Sequence, residues 1–220
     1  MKFVISYSCG KDSTLSLHKM IAAGHTPVGL VVMVNKDEKL SWFHGVDLDL
    51  LDQISESLQI PLIKCVSGGE EYHLELEEGL RRGKELGAEL CVFGDIDIEE
   101  HMEWGMARCK AAGLIPYYPL WHRNREENTK ELIDLGYQCV IKCVRNADLP
   151  KEILGKVLDH EMVAFMKELG VDVCGENGEY HTVTVGGPIF HTPVPYKCGE
   201  ILNLGNTSVI SVTPQEYYQM

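Results

Sequence analysis

The sequence predicts an α/β fold, a doubly wound parallel sheet of five strands followed by a smaller α+β domain. Three observations carry this expectation. Short β-branched runs alternate with longer stretches of helical period, the pattern of βαβ units. Gly24, Gly87, Gly113, Gly136 and Gly170 each close a periodic stretch, as a left-handed helix cap requires, and most precede a new strand. After Trp121 the chain changes character and becomes, beyond Gly175, strand-rich and punctuated by Gly186, Gly187, Pro188, Pro193 and Pro195. The boundary is therefore set near Trp121, giving domains 1–121 and 122–220.

The expected strands of the first domain are Lys2 to Tyr7, Pro27 to Val34, Pro61 to Val66, Glu89 to Phe93 and Leu114 to Tyr117. Val46, Leu50, Ile54 and Leu58 recur at intervals of four and mark one helix. Tyr72, Leu76 and Leu80 mark another; both stripes read as core, with no role toward a ligand. In the second domain, Arg123, Arg125 and Lys130 open a helical stretch to Leu135. Val140 to Val144 reads as a strand, and Met162, Val163, Met166 and Leu169 as a further helix.

Composition narrows the function classes. A net charge of −13, from 33 acids and 20 bases, disfavours a long nucleic-acid interface, which needs a basic footprint. The first apolar run is broken by Ser6 and ended by Lys11, and no apolar run approaches a bilayer span. Neither a signal peptide nor a membrane segment is expected, and the expected location is the cytoplasm. Eight scattered cysteines read as reduced, buried thiols; Cys139 and Cys143 are a close pair without the second pair that a zinc site would need.

Between the first strand and the first helix stands Ser8-Cys9-Gly10-Lys11-Asp12-Ser13. The opening amides of a helix lack intrahelical partners and lie at the positive end of its dipole, so this turn is a natural phosphate site. Gly10 lets backbone approach the phosphates, Lys11 adds a positive charge, and Ser8 and Ser13 add hydroxyl donors. It is not a Walker A loop, because the leading Gly is missing and Asp12 follows the lysine. An ordinary polar turn with a cap is the bland alternative. Gly175 to Thr182 is also unusual. Asn177 and Gly178 favour a tight turn with positive φ, so that Glu176 and Glu179 could point from one loop toward one ligand; a polar hairpin with solvated glutamates is the alternative.

Ser8 to Ser13 resembles the pyrophosphate loop, Ser-Gly-Gly-Lys-Asp-Ser, of the N-type ATP pyrophosphatases, with Cys9 at a position usually held by Gly. Phe43-His44-Gly45, Gly94-Asp95-Ile96, His101-Met102-Glu103-Trp104, Pro119-Leu120-Trp121 and Cys174 to Thr182 then resemble, in order, the diphthine-ammonia ligase subgroup of these enzymes. The resemblance implies a HUP-like strand order of 3-2-1-4-5, with the first and fourth strands adjacent at the point where a doubly wound sheet binds its ligand. Asp95, at the end of the fourth strand, would then stand beside the phosphates. A carboxylate there needs an intervening cation, so Asp95 is a candidate Mg²⁺ ligand, with a helix-capping aspartate as the alternative.

The activity so implied is adenylation of a carboxylate by ATP followed by transfer of free ammonia, most simply to diphthine on elongation factor 2 or a related acceptor. Lys11, Asp12, Glu176 and Glu179 would be catalytic. Ser8 to Ser13, Gly94 and Asp95 would hold ATP, and His44, Glu103, Trp104, Asn177, Gly178, Tyr180, His181 and Thr182 the acceptor. Asn177, His181 and Gly186 depart from the subgroup's pattern in the acceptor half. A tRNA-thiolating enzyme using Cys9 or Cys174, and a non-catalytic nucleotide sensor, are the competing classes. A homodimer is the base-rate oligomer.

Overall fold

The structure, a computed structural model, describes residues 1–215. The first half alternates strand and helix: β1 (Lys2–Ser6), α1 (Lys11–Ala22), β2 (Thr26–Asn35), α2 (Leu48–Leu58), β3 (Leu62–Ser67), α3 (Tyr72–Glu85), β4 (Leu90–Val92), α4 (Glu99–Ala112) and β5 (Ile115–Tyr117). The five strands form one parallel sheet in the order β3-β2-β1-β4-β5. Each expected strand is present within one or two residues of its expected ends. All five glycines expected to cap helices have positive φ, from +70° to +93°. The Val46 stripe needs one adjustment, because α2 begins after Asp47, whose side chain caps the amides of Asp49 and Leu50.

The second half contributes α5 (Arg125–Asp134), β6 (Gln138–Arg145), a short 3₁₀ turn (Lys151–Ile153), α6 (His160–Glu168), β7 (Tyr180–Gly186), β8 (Tyr196–Asn203) and β9 (Thr207–Pro214). Its strands make an antiparallel sheet in the order β7-β6-β9-β8.

Alternation along β1 sets the layers, because successive side chains of a strand leave opposite faces. Val4 joins Val31, Ile63, Leu76, Leu80 and Cys91 on the face covered by α3 and α4. Phe3 and Ile5 face the other way, into a cluster that continues through Leu17, Leu50 and Ile54 to Val140, Ile141, Val183 and Val185 of the second sheet. The second sheet thus packs on the same apolar layer as α1 and α2. It is also tied to the chain that leaves β1: the Thr184 amide donates to the Cys9 carbonyl at 2.7 Å, and the hydroxyls of Thr14 and Thr184 are 3.1 Å apart. No helix of the described residues is long and apolar enough to cross a membrane.

Candidate active site

Beyond the carboxyl ends of the paired strands β1 and β4 lies a cleft of about 860 Å³. Its floor is the turn from β1 to α1. Gly10 is the N-cap of α1 and offers no side-chain cap, so the first turn keeps its positive end directed at the cleft. The Ser13 hydroxyl donates to the Gly10 carbonyl at 3.0 Å and lies 3.2 Å from that of Ser8, which holds the turn in shape. Of the first amides, that of Lys11 donates to the Thr182 hydroxyl at 3.1 Å. A residue of β7 therefore caps the helix that the sequence left without a cap.

Cys9 has φ +62°, a left-handed conformation costly for a residue with a β-carbon, and its side chain is fully buried. The thiol turns into the core beneath the turn, which explains how Cys can stand at a position where Gly fits more easily. Burial pushes that thiol well above its ordinary range. Gly10 is required for a different reason. A β-carbon there would lie 2.4 Å from Cε1 of His44, which is packed against the turn.

Lys11 is 6% exposed, and its Nζ is 2.5 Å from Oδ2 of Asp12 and 5.5 Å from the centre of the Tyr180 ring. Burial opposes the lysine charge, but the Asp12 carboxylate, with Cys174 and Tyr180 beside it, outweighs burial and holds the ammonium well above its ordinary range. Across from it, Asp12, Cys174 and Glu176 present an oxygen or sulfur atom within 4.8 Å of one another. Burial, then the Asp12 charge, push the Glu176 carboxyl up to about 7. Burial likewise raises Asp95, which the nearby His101, at 3.5 Å, only partly offsets. Glu176 and Asp95 are both raised by burial and by the Asp12 charge, so a cation bound here would favour their ionised forms. Asp95 does not cap α4, whose N-cap is Ile98 with no side-chain bond.

The upper wall is aromatic. Trp42, Phe43, Tyr72 and Trp104 form a chain of neighbouring rings with centroids 5.8 to 6.4 Å apart, and Phe43 and Trp104 are 77% and 40% exposed. His44 and His181 lie beside the floor with ring centroids 4.8 Å apart. Burial and mutual proximity push His44 down to about 3, and burial also lowers His181, so both rings are neutral near pH 7.

The expected site residues Ser8, Lys11, Asp12, Ser13, His44, Gly94, Asp95, Trp104, Glu176, Asn177, Gly178, Tyr180, His181 and Thr182 all line this cleft. Four others do not. Cys9 and Gly10 lie behind the lining as described, and Glu103 is on the exposed side of α4. Glu179 is buried and turned away: its carboxylate accepts from the Asn177 amide at 3.0 Å and the Asn177 side chain at 3.2 Å, while Arg145 stands 4.0 Å off. Glu176 and Glu179 therefore diverge, one toward the cleft and one bracing the Asn177-Gly178 turn, in which Gly178 has φ +82°.

Sequence reasoning missed Tyr72, placed in a core stripe but standing on the cleft wall. Its position was a usable signal, since it opens the helix that follows the carboxyl end of β3. It also missed Arg125, whose guanidinium binds both oxygens of Asp97 at 2.6 and 2.7 Å and Asp172 at 2.5 Å, joining the chain after β4 to the loop that carries Glu176.

Comparison with known proteins adds a second line of observation. Residues 1–116 match the family described as the diphthamide synthase N-terminal domain, and residues 124–209 match its C-terminal domain. The chain is 30% identical over 234 aligned positions to the diphthine–ammonia ligase of Homo sapiens, covering 92% of this chain and 85% of that one. It is 28% identical to the diphthine–ammonia ligase of Danio rerio, covering 86% and 84%. Among solved structures, a chain titled as a predicted subunit of tRNA methyltransferase from Methanocaldococcus jannaschii matches with a TM-score of 0.45 and 14% identity, over 85% of this chain and 98% of that one.

Proposed function

Because the chain belongs to the diphthamide synthase family, we propose that its cleft is the site of an ATP-dependent ligase that activates a carboxylate and joins it to ammonia. A carboxylate is a poor electrophile at neutral pH. Its oxygen attacks the α-phosphorus of ATP and pyrophosphate leaves; ammonia then attacks the acyl carbon, AMP leaves, and the nitrogen gives up a proton. The observation that carries this reading is the meeting, in one cleft, of Lys11 and the first turn of α1 with Glu176 from the C-terminal half.

On this reading the phosphates lie over the Ser8 to Ser13 turn, where Lys11 and the helix start compensate their charge as it develops on the bridging oxygen. Asp12 fixes the Lys11 ammonium. Gly94 allows close approach at the β4 end, and the aromatic wall offers flat faces to the base. The neutral imidazoles of His44 and His181 give donors or acceptors beside the phosphates without repelling Lys11. Mg²⁺ fits the oxygen donors of Asp12 and Glu176, which lie within ligand spacing of one another, and fits the Cys174 thiol poorly; Asp95, near Asp12 but outside that spacing, would serve a phosphate-bound ion only from further off. When bound, it would neutralise the leaving pyrophosphate. Tyr180, Thr182 and the Asn177-Gly178 turn border the remaining space, where the acceptor carboxylate would enter, and Glu179 keeps that turn in place.

We assign the acceptor as diphthine, the word the relatives' names carry, and, as the motif resemblance implies, diphthine on elongation factor 2 or a related acceptor. Both cysteines that a sulfur-transfer enzyme could use are unsuited to it. Burial raises the thiols of Cys9 and Cys174, the latter up to about 12, and a reactive cysteine needs a thiolate.

The test is incubation with Mg²⁺-ATP, ammonium and elongation factor bearing diphthine, following AMP and the mass of the acceptor. Wild type is expected to form AMP and to change the acceptor mass by conversion of a carboxylate to an amide. Lys11→Met should lower kcat by about 10²-fold or more with the fold intact, the scale of losing one preorganised donor. Equal AMP yield from the two proteins would overturn the assignment.

A further inference from the structure

Lys142, in the middle of β6, is 6% exposed and makes no ion pair among the described residues. Its Nζ donates instead to two main-chain oxygens, those of His44 at 2.7 Å and Gly45 at 2.6 Å. A buried ammonium held only by carbonyls is uncommon, since burial alone disfavours the charge; here it lowers Lys142 to about 8.

The two carbonyls belong to the turn that connects β2 to α2 and forms the mouth of the cleft. The turn's own bonds close its base: Gly45 to Ser41 at 2.9 Å, Ser41 to Val46 at 2.9 Å, and the Val46 amide to the Ser41 hydroxyl at 2.9 Å. Its tip runs through two left-handed residues, Phe43 at φ +62° and Gly45 at φ +57°. For Phe43 that conformation is unfavourable and must be held by its surroundings. Phe43 itself is exposed, so it supplies little of the restraint. Within the first domain, the His44 amide donates to the Trp42 carbonyl at 2.7 Å across Phe43, and the Trp42 amide to the Met33 carbonyl of β2 at 2.9 Å; from the second sheet the tip is held by the His44 ring, whose Nδ1 lies 2.9 Å from the Thr182 carbonyl, and by the lysine beneath it.

Resting on the reading of the cleft as an ATP site, we propose that Lys142 is a positioning residue, which fixes the Trp42 to Gly45 tip over the bound nucleotide without touching the reacting atoms. One ammonium from the second sheet sets the tip's height. It thereby places the His44 ring against the phosphate turn and the Trp42 and Phe43 rings at the mouth. A merely stabilising lysine would affect the fold as a whole; a positioning lysine affects the tip and the affinity for nucleotide.

The experiment uses the full chain and three variants. Lys142→Met keeps the length of the stem and removes the donors. Lys142→Arg keeps a charged donor. Gly45→Ala leaves the lysine in place but puts a β-carbon 3.3 Å from its Nζ at a left-handed position, so it loosens the same contact should Lys142→Met fail to fold. Amide hydrogen exchange of residues 42–45 is measured without ligand, and the KM for ATP and kcat for AMP formation are measured separately. Lys142→Met should speed exchange at the tip and raise KM about tenfold or more while kcat stays within about twofold. Lys142→Arg should recover most of the loss, and Gly45→Ala should shift both readouts in the same direction. Unchanged exchange at 42–45 in Lys142→Met, or a loss confined to kcat, would overturn the proposal. If wild type binds no ATP while Lys142→Met still frees the tip, the nucleotide reading falls and the tether stands.

Discussion

A β-carbon on Gly94 would lie 2.9 Å from the Ser13 nitrogen and 3.1 Å from the Asp12 carbonyl carbon. Those are main-chain atoms of the phosphate turn and cannot yield as a flexible side chain can. Gly94→Ala is therefore expected to displace the turn and weaken ATP binding about tenfold or more while leaving far-UV circular dichroism unchanged; an unaltered Kd by calorimetry would refute it. His44 gives a pH prediction. Its folded pKa of about 3 lies below the ordinary histidine value, so in the interval between them the unfolded chain binds a proton that the folded chain does not. Stability should fall as pH drops through that interval, and His44→Gln should show a smaller fall in Tm between about pH 7 and about pH 5. An equal fall in both proteins would show that the ring does not stay neutral. At this scale the sequence was legible where function is local. Ser8 to Ser13 could be read because a helix start needs only neighbouring residues to make an anion site. The divergence of Glu176 and Glu179 could not, because it depends on Asn177 folding back onto one of two equivalent carboxylates.

Arg125 opens α5 and clasps two elements at once, Asp97 after β4 and Asp172 before the Glu176 loop. The Asp97 bonds hold that carboxyl below its usual range. All three side chains are partly exposed, so the clasp is expected to contribute about 1–3 kcal/mol rather than the larger value of a fully buried network. Arg125→Met should lower the Tm and, more tellingly, speed amide exchange in 172–180 before that of β6; simultaneous loss in both would assign the arginine to global stability alone. Salt should weaken the wild-type clasp and leave the variant unaffected. Elements were the most legible scale. The five parallel strands follow from β-branched runs between glycine-capped helices, and every one of those glycines has positive φ. The turn between β2 and α2 was legible as a motif at His44 but not as a structure, since its tip is held by Lys142, a residue almost one hundred positions away.

The two sheets have different architectures, yet one apolar cluster runs from Phe3 and Ile5 through Leu17 to Ile141 and Val185. The expected boundary near Trp121 separates strand patterns; the core is shared across it. The protein should accordingly unfold in a single cooperative transition, with calorimetric and van't Hoff enthalpies equal. Two resolved transitions in calorimetry would instead establish separate folding units. No periodicity in the sequence foretells such sharing, because either sheet could bury its stripe on its own helices. The contact of Thr182 with the Lys11 amide, and of Thr184 with Cys9, has a consequence for biosynthesis. The turn after β1 is braced by its own serines, but its opening amide finds a partner only once β7, made much later, has docked. A nascent chain that stops short of β7 therefore carries this turn with its opening amide unpaired.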